Sequence, residues 1–124
     1  MDAVTRFLKS LYTAFQGVVY VVRIERNARL HLVIAVLALM VSVILGVSDA
    51  ELAAIFFAII LVFTAEIVNT ALEKTLDLIE PKFSPQVRTI KDIAAGAVLV
   101  SAIGAAAIGL AIFSEHIMDI PWRH

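Results

Sequence analysis

The sequence has no cysteine among its 124 residues. This absence excludes disulfide bonds, thiolate metal sites and cysteine nucleophiles. The sequence also has no marked excess of positive or negative charge, since it contains ten basic and eleven acidic residues and its formal net charge is -1. Nothing in this balance indicates a nucleic-acid-binding protein. The sequence also lacks a P-loop GxxxxGK[ST] and the glycine-rich loop of protein kinases, which excludes both of these nucleotide-binding classes.

Apolar residues dominate what remains. They make up 61% of the chain, and the mean hydropathy is +0.96. A soluble domain of this size needs far more polar surface, whereas a spanning helix needs about 20 mostly apolar residues. We therefore predict an all-α membrane protein with one domain, 1–124, whose three transmembrane helices cover 29–47, 51–79 and 88–113.

The first 28 residues have a different pattern, in which basic and apolar side chains alternate. Apolar positions such as Phe7, Leu11, Phe15 and Val18 recur at spacings of three and four, as in an amphipathic helix. A basic amphipathic helix beside a spanning segment usually lies in the membrane interface. Residues 1–28 are therefore predicted to form a surface helix, and an ordinary packing helix is the alternative.

Loop charge predicts the topology. Lys and Arg gather before the first predicted span and again in the 80–92 loop, whereas the connection at Asp49 and Glu51 has neither. The positive-inside rule then places the N-terminus and the 80–92 loop in the cytoplasm and the C-terminus outside. We expect a multi-pass protein of the cytoplasmic (inner) membrane.

The third predicted span has small residues at every fourth position, namely Ala97, Ser101, Ala105 and Gly109. Small residues at this spacing let helices approach closely in lipid. Three spans also make a thin bundle that shelters charge poorly. Both observations favour an oligomer or a tight interface within the chain.

The second predicted span contains a polar stripe at offsets 0, 3, 4, 7 and 11, which is one helix face. Its members are Glu66, Asn69, Thr70, Glu73 and Asp77. A capped, solvent-facing helix end explains Asp77 and Glu73, and an interhelical hydrogen bond explains Asn69. Neither explains Glu66, which follows fourteen uncharged residues and costs about 2.5–3.5 kcal/mol near the bilayer centre. We interpret Glu66 as functional.

Two further clusters lie at the predicted cytoplasmic level. Glu25 precedes the first span at the same predicted depth as Glu73, and Lys91 opens the third span. Two carboxylates at one depth suit Mg²⁺, which is usually held by one or two carboxylates together with substrate phosphates. A deep base, a metal pair and a nearby cation suit phosphoryl transfer from ATP, in which positioning and charge stabilisation dominate.

The ExxNTAxE motif from Glu66 to Glu73, with Asp77 and then Lys91-Asp92-Ile-Ala-Ala-Gly96, resembles the signature of the small prokaryotic diacylglycerol kinases. That family includes the undecaprenol kinases. The resemblance extends from Arg6 to about Phe113 and includes the order of surface helix and three spans. It implies a homotrimer with active sites shared between subunits, in which ATP phosphorylates a membrane lipid.

The resemblance also implies roles for individual residues. Glu66 matches the catalytic base, and Glu25 and Glu73 match the ligands of Mg²⁺ or another divalent cation. The implied ATP-binding positions are Arg6, Thr13, Glu25, Glu73, Asp77, Lys82, Phe83, Ser84, Lys91 and Asp92. The implied lipid-binding positions are Arg6, Asn27, Arg29, His31, Glu66, Asn69 and Ala95.

His31 and Ala95 point to one branch of the family, because the diacylglycerol branch tends to have Glu and Ser at these positions. They favour undecaprenol as the lipid alcohol, with diacylglycerol as the alternative within the family. Two alternatives from other classes are a membrane scaffold, which uses the polar stripe only for helix association, and a cation-conducting oligomer lined by Glu66 and Glu73.

Overall fold

A computed structural model describes residues 2–82 and 84–119 of the chain. These residues form helices α1 (Ala3–Ile24), α2 (Arg26–Leu45), α3 (Asp49–Ile79) and α4 (Pro85–Met118), and they contain no β-strand. By length and composition, α2, α3 and α4 are each able to cross a membrane. The prediction of an all-α protein with three spans is confirmed.

The helix ends differ from the predicted ones by a few residues. The first helix ends at Ile24 rather than 28, because Glu25 has extended backbone angles and its N–H closes the last turn on Val21. The break lets α2 begin at Arg26, three residues before the predicted start. The last span begins early, at Pro85, because proline is tolerated in a first helical turn, where its missing N–H is not needed.

The turn between α2 and α3 is closed by local hydrogen bonds. Gly46 ends α2 in the left-handed conformation with φ 65°, which glycine adopts without steric cost. Ser48 then caps α3, and the Glu51 carboxylate accepts from the Ser48 N–H at 2.7 Å and from its hydroxyl at 2.8 Å. Glu51 Oε2 also lies 3.6 Å from Nε2 of His116 on α4. These contacts join three helices at the end of the bundle remote from Glu25.

The helices pack through small side chains. The contact between α3 and α4 is the most extensive one, and α2 adds to both. Ala28 is completely buried, and Ala58 and Ala94 are buried as well. The hydroxyl of buried Ser42 donates to the Ala38 carbonyl of its own helix, so it needs no partner elsewhere. Small residues allow this close approach without the hydrophobic driving force that water supplies.

The small-residue stripe of α4 is divided between two environments. Ser101 is buried inside the chain, whereas Ala97 is exposed and Ala105 and Gly109 are half-buried. Part of the stripe therefore packs within one chain. Its contribution to an oligomer stays a prediction.

Most of α1 packs against nothing in its own chain. Every residue from Asp2 to Val18 is exposed, and the buried residue of this helix is Val21, near its end. The side chain of Asp2 caps the helix by accepting hydrogen bonds from the N–H and the hydroxyl of Thr5. The apolar side chains of α1 up to Val18 thus have no cover within the chain, and the position of this helix at a membrane surface stays a prediction.

Candidate active site

Glu66 is a buried carboxylate on a spanning helix, with 3% of its surface exposed. It lies about 26 Å along α3 from Asp49, and Glu73 lies about 36 Å from the same point, at 1.5 Å per residue. The hydrocarbon core of a bilayer is about 30 Å thick. If α3 enters near Asp49, Glu66 lies just inside the opposite boundary of that core and Glu73 lies just beyond it.

Glu66 has ionisable neighbours on its own helix and on the elements beside it. The Glu66 carboxyl is within electrostatic range of His31 on α2, of Glu25 at the break between α1 and α2, and of Glu73 on its own helix. The break at Glu25 brings this side chain to the site, because it ends one helix and begins the next beside α3. Four residues that the sequence predicts for one site therefore come together.

Asn69 and Thr70 shape the face of α3 next to Glu66. The Asn69 Nδ2 group donates to Oε1 of Glu73 at 3.2 Å, which orients the carboxylate. Oδ1 of Asn69 is buried and has no hydrogen-bond partner in the described residues. The hydroxyl of Thr70 donates to the carbonyl of Glu66 at 2.9 Å, so it serves its own helix. An unpaired buried acceptor is costly, which makes Oδ1 of Asn69 a candidate ligand atom.

The carboxylates fit a divalent cation only together with a second ligand. Within residues 2–82 and 84–119, no three His, Cys, Asp or Glu side chains are grouped closely enough to hold a metal ion. Glu25 and Glu73 supply carboxylate oxygens, and Asn69 supplies a free amide oxygen. Mg²⁺ prefers oxygen ligands and is usually held by one or two carboxylates plus substrate phosphates. The donor set fits Mg²⁺ that arrives with a nucleotide.

Two ion pairs lie where α3 ends and α4 begins. Nζ of Lys91 is 2.5 Å from Oδ1 of Asp77, with the side chains 32% and 57% exposed. Arg88 and Asp92 lie 4.0 Å apart and are far more exposed. The predicted nucleotide residues Lys91 and Asp77 are thus adjacent, four residues of helix beyond Glu73.

The short loop between these helices carries three other predicted nucleotide residues. Lys82 is exposed. Ser84 caps α4 by accepting from the N–H of Val87 at 3.5 Å. Phe83 lies outside the described residues. The loop connects the two helices that carry Asp77 and Lys91, so it lies next to this ion pair.

Among the predicted lipid-binding residues, one donates hydrogen bonds to the backbone and two are exposed. Nη1 of Arg29 donates to the carbonyl of Arg23 at 2.8 Å and to that of Val22 at 3.3 Å, so Arg29 satisfies the end of α1. Asn27 and Ala95 are exposed. Their roles in lipid binding stay predictions.

Arg6 and Thr13 do not join this site within one chain. Both are exposed residues of α1 and line a shallow hollow of about 550 Å³ together with Lys9. The hydroxyl of Thr13 donates to the carbonyl of Lys9. Arg6 lies about 28 Å along the helix from Glu25. In one protomer the hollow and the Glu66 site are therefore separate.

An apolar cavity next to Glu66 was not anticipated from the sequence. Its volume is about 450 Å³, and it lies among α2, α3 and α4 with His31 at one end. Its floor and walls contain alanines from all three spanning helices, among them Ala38, Ala58 and Ala105. The alanine content of the spans was the available signal, but only the helix arrangement shows which alanines face one another.

Comparison with known proteins finds relatives of this chain. Residues 12–113 match the family model of the prokaryotic diacylglycerol kinases. An undecaprenol kinase of Bacillus subtilis is 40% identical over 112 residues, which are 90% of this chain and 91% of the relative. A diacylglycerol kinase of Synechocystis sp. is 34% identical over 103 residues, which are 82% of this chain and 59% of the relative.

Kinases are thus the proteins to which this chain is similar, rather than scaffolds or channels. The match covers α2 and α3 completely and α4 as far as Phe113, and it includes Glu25, His31, Glu66, Asn69 and Glu73. The chain belongs to the prokaryotic diacylglycerol kinase family and is a membrane lipid kinase that uses ATP.

Proposed function

We propose that this protein transfers the γ-phosphate of ATP to undecaprenol and forms undecaprenyl phosphate. The observation that carries the proposal is the burial of the Glu66 carboxyl on a helix long and apolar enough to span a membrane, with the partly exposed Lys91–Asp77 pair farther along. The similarity to the undecaprenol kinase of Bacillus subtilis, which extends over nine tenths of both chains, supports this acceptor.

Glu66 acts as the general base in this proposal. Its carboxylate accepts the proton of the lipid hydroxyl while the hydroxyl oxygen attacks the γ-phosphorus of ATP. The new bond joins that oxygen to phosphorus, the bond to the β-phosphate oxygen breaks, and ADP leaves. Burial in a region that excludes water prevents water from competing with the lipid hydroxyl as the acceptor of the phosphoryl group.

Glu25 and Glu73 would hold Mg²⁺, with Asn69 orienting Glu73 through its 3.2 Å hydrogen bond. The ion would offset the negative charge of the phosphates. Lys91 adds a second positive charge, because its ammonium exchanges the Asp77 carboxylate for a phosphate oxygen. These residues bind and position the nucleotide, and the lipid enters from the membrane side.

The proposal includes a homotrimer in the cytoplasmic membrane. Arg6 and Thr13 are about 28 and 18 Å along α1 from Glu25, so they reach a nucleotide more readily at a neighbouring subunit's site than at their own. The exposed length of α1 then lies at the cytoplasmic surface, with the Lys82 loop on the same side and the C-terminus outside. Basic residues before α2 and in the loop support this orientation.

The test is a transfer assay with labelled ATP and detergent-solubilised protein, in which undecaprenol and diacylglycerol are offered separately. We expect undecaprenol to be the better acceptor. Faster transfer to diacylglycerol would reassign the substrate, and transfer to neither would contradict the proposal.

Two variants assign the roles of the carboxylates. Glu66→Gln removes the base and should lower kcat about 10²- to 10⁴-fold, with little change in the KM for ATP. Glu73→Gln should raise the Mg²⁺ concentration for half-maximal rate by at least about tenfold. Glu115→Gln makes the same change on an exposed residue at the other end of α4 and serves as the control. Wild-type turnover in folded Glu66→Gln would refute the base assignment.

A further inference from the structure

The cavity beside Glu66 has one polar end and an otherwise hydrocarbon lining. His31 is the polar residue among those that line it. Val62 lies about 6 Å along α3 from Glu66, and Ile55 at the far end lies about 16 Å from it. On α4 the lining continues to Phe113. The cavity therefore starts about one helical turn from Glu66 and extends away from the nucleotide side.

The dimensions fit a short length of lipid tail. The cavity measures about 450 Å³. An apolar protein cavity of about 150 Å³ holds one benzene. By that measure the space accommodates on the order of 18 carbons, which is three to four isoprene units.

We propose that this cavity binds the first three to four isoprene units of the lipid alcohol and so selects its substrate by the shape and length of the tail next to the hydroxyl. This proposal rests on the function proposed above. The hydroxyl lies at Glu66, the first unit passes His31, and the rest of a longer tail leaves into the bilayer beyond Phe113. A tail held in the cavity fixes the hydroxyl, and a misplacement of about 1 Å at a reacting centre can cost roughly 10²-fold in rate.

Two glycines on α4 provide a matched pair of variants. Gly109 lines the cavity at about two thirds of its depth, and a β-carbon there meets only the end of the Phe113 ring at 3.8 Å. Gly104 lies on the same helix outside the cavity lining, and a β-carbon there meets no atom within 4 Å. Gly109→Leu therefore blocks the distal third of the cavity, while Gly104→Leu makes the same chemical change elsewhere.

The assay compares geraniol, geranylgeraniol and undecaprenol as acceptors, at equal mole fractions in the same detergent micelles. We expect Gly109→Leu to lower kcat/KM at least tenfold for the two longer alcohols and less than twofold for geraniol, whose ten carbons fill about half of the cavity. Gly104→Leu should leave all three rates unchanged. An equal effect of Gly109→Leu on all three alcohols, or no effect, would overturn the proposal.

A readout without turnover separates this proposal from the function itself. Geranylgeraniol with a photoreactive diazirine at its distal end is cross-linked to the wild-type protein, and the labelled residues are identified by mass spectrometry. Labelling of Ile55 and Phe113 supports the cavity even if no alcohol is phosphorylated. Labelling confined to the outer faces of the helices would overturn the proposal. A loss of oligomer in Gly109→Leu but not in Gly104→Leu would also overturn it, because the cavity would then belong to a subunit contact.

Discussion

Replacing Lys91 by alanine distinguishes a structural ion pair from a nucleotide-binding residue. The pair with Asp77 has a short Nζ–Oδ1 distance of 2.5 Å, but the two side chains are 32% and 57% exposed. Solvent screens such a pair, and exposed pairs contribute about 0.2–1 kcal/mol. If Lys91 only ties α3 to α4, Lys91→Ala costs less than about 1 kcal/mol of stability and has little effect on the KM for ATP.

A phosphate contact predicts a much larger effect on ATP. A hydrogen bond to a charged group contributes about 1.5–3 kcal/mol, and each 1.4 kcal/mol corresponds to a factor of ten. Lys91→Ala should therefore raise the KM for ATP about 10- to 150-fold. Its effect on the free energy of unfolding should match that of Asp77→Ala, because both variants break the same pair.

The assay measures initial rates at saturating lipid while ATP is varied, together with unfolding in the same detergent. Arg88→Ala is the control, because its pair with Asp92 is 4.0 Å long and both side chains are more than 70% exposed. A less than threefold rise in the KM of Lys91→Ala would refute the nucleotide role. The conclusion would also fail if Lys91→Ala and Arg88→Ala changed the KM equally.

Two further predictions concern the helix ends. Gly46→Ala should destabilise the protein by about 1 kcal/mol, because a residue with a β-carbon is strained at φ 65°. The strain is in the backbone alone, since no atom lies within 4 Å of the added carbon. An unchanged free energy of unfolding in detergent would contradict this prediction. The two hydrogen bonds from Thr5 hold the pKa of Asp2 below its ordinary value, so the cap is present above that value and is lost as the pH falls through the lowered pKa. Asp2→Asn should keep a cap at low pH, measured by hydrogen exchange at the start of α1, and an identical acid-induced loss in both proteins would argue against the cap.

The features predicted from the sequence were those set by periodicity and by the bilayer. Apolar length alone gave the three spans, because a helix must cross about 30 Å of hydrocarbon with its backbone satisfied. The offsets from Glu66 to Asp77 placed their side chains on one face of a helix, because a helix fixes side-chain direction. The structure adds that Asn69 bonds to Glu73, which spacing permits but does not require.

The features that could not be predicted from the sequence depend on contacts between helices. Glu25 could be predicted as a candidate metal ligand, but not as the junction of two helices, which its extended backbone makes it. Arg29 was an implied lipid-binding position, and the structure adds that its guanidinium donates to two carbonyls at the end of α1. The cavity arises from alanines that are far apart in sequence. In each case, the feature depends on hydrogen bonding or packing between two elements. The pattern of residues within one element does not determine it.

In the proposed mechanism, the continuity of α3 lets one small chain join water-borne and lipid-borne substrates. Phosphates need cations and hydration, whereas the hydroxyl of a polyprenol remains near the hydrocarbon. Glu66 and Glu73 are about 10 Å apart along the same unbroken helix, so their separation is set by the helical rise rather than by a loop. Placing a carboxyl at the depth of Glu66 costs up to about 3 kcal/mol. In the proposed mechanism, a base nearer to water would avoid that cost but would no longer reach a hydroxyl whose tail lies in the membrane.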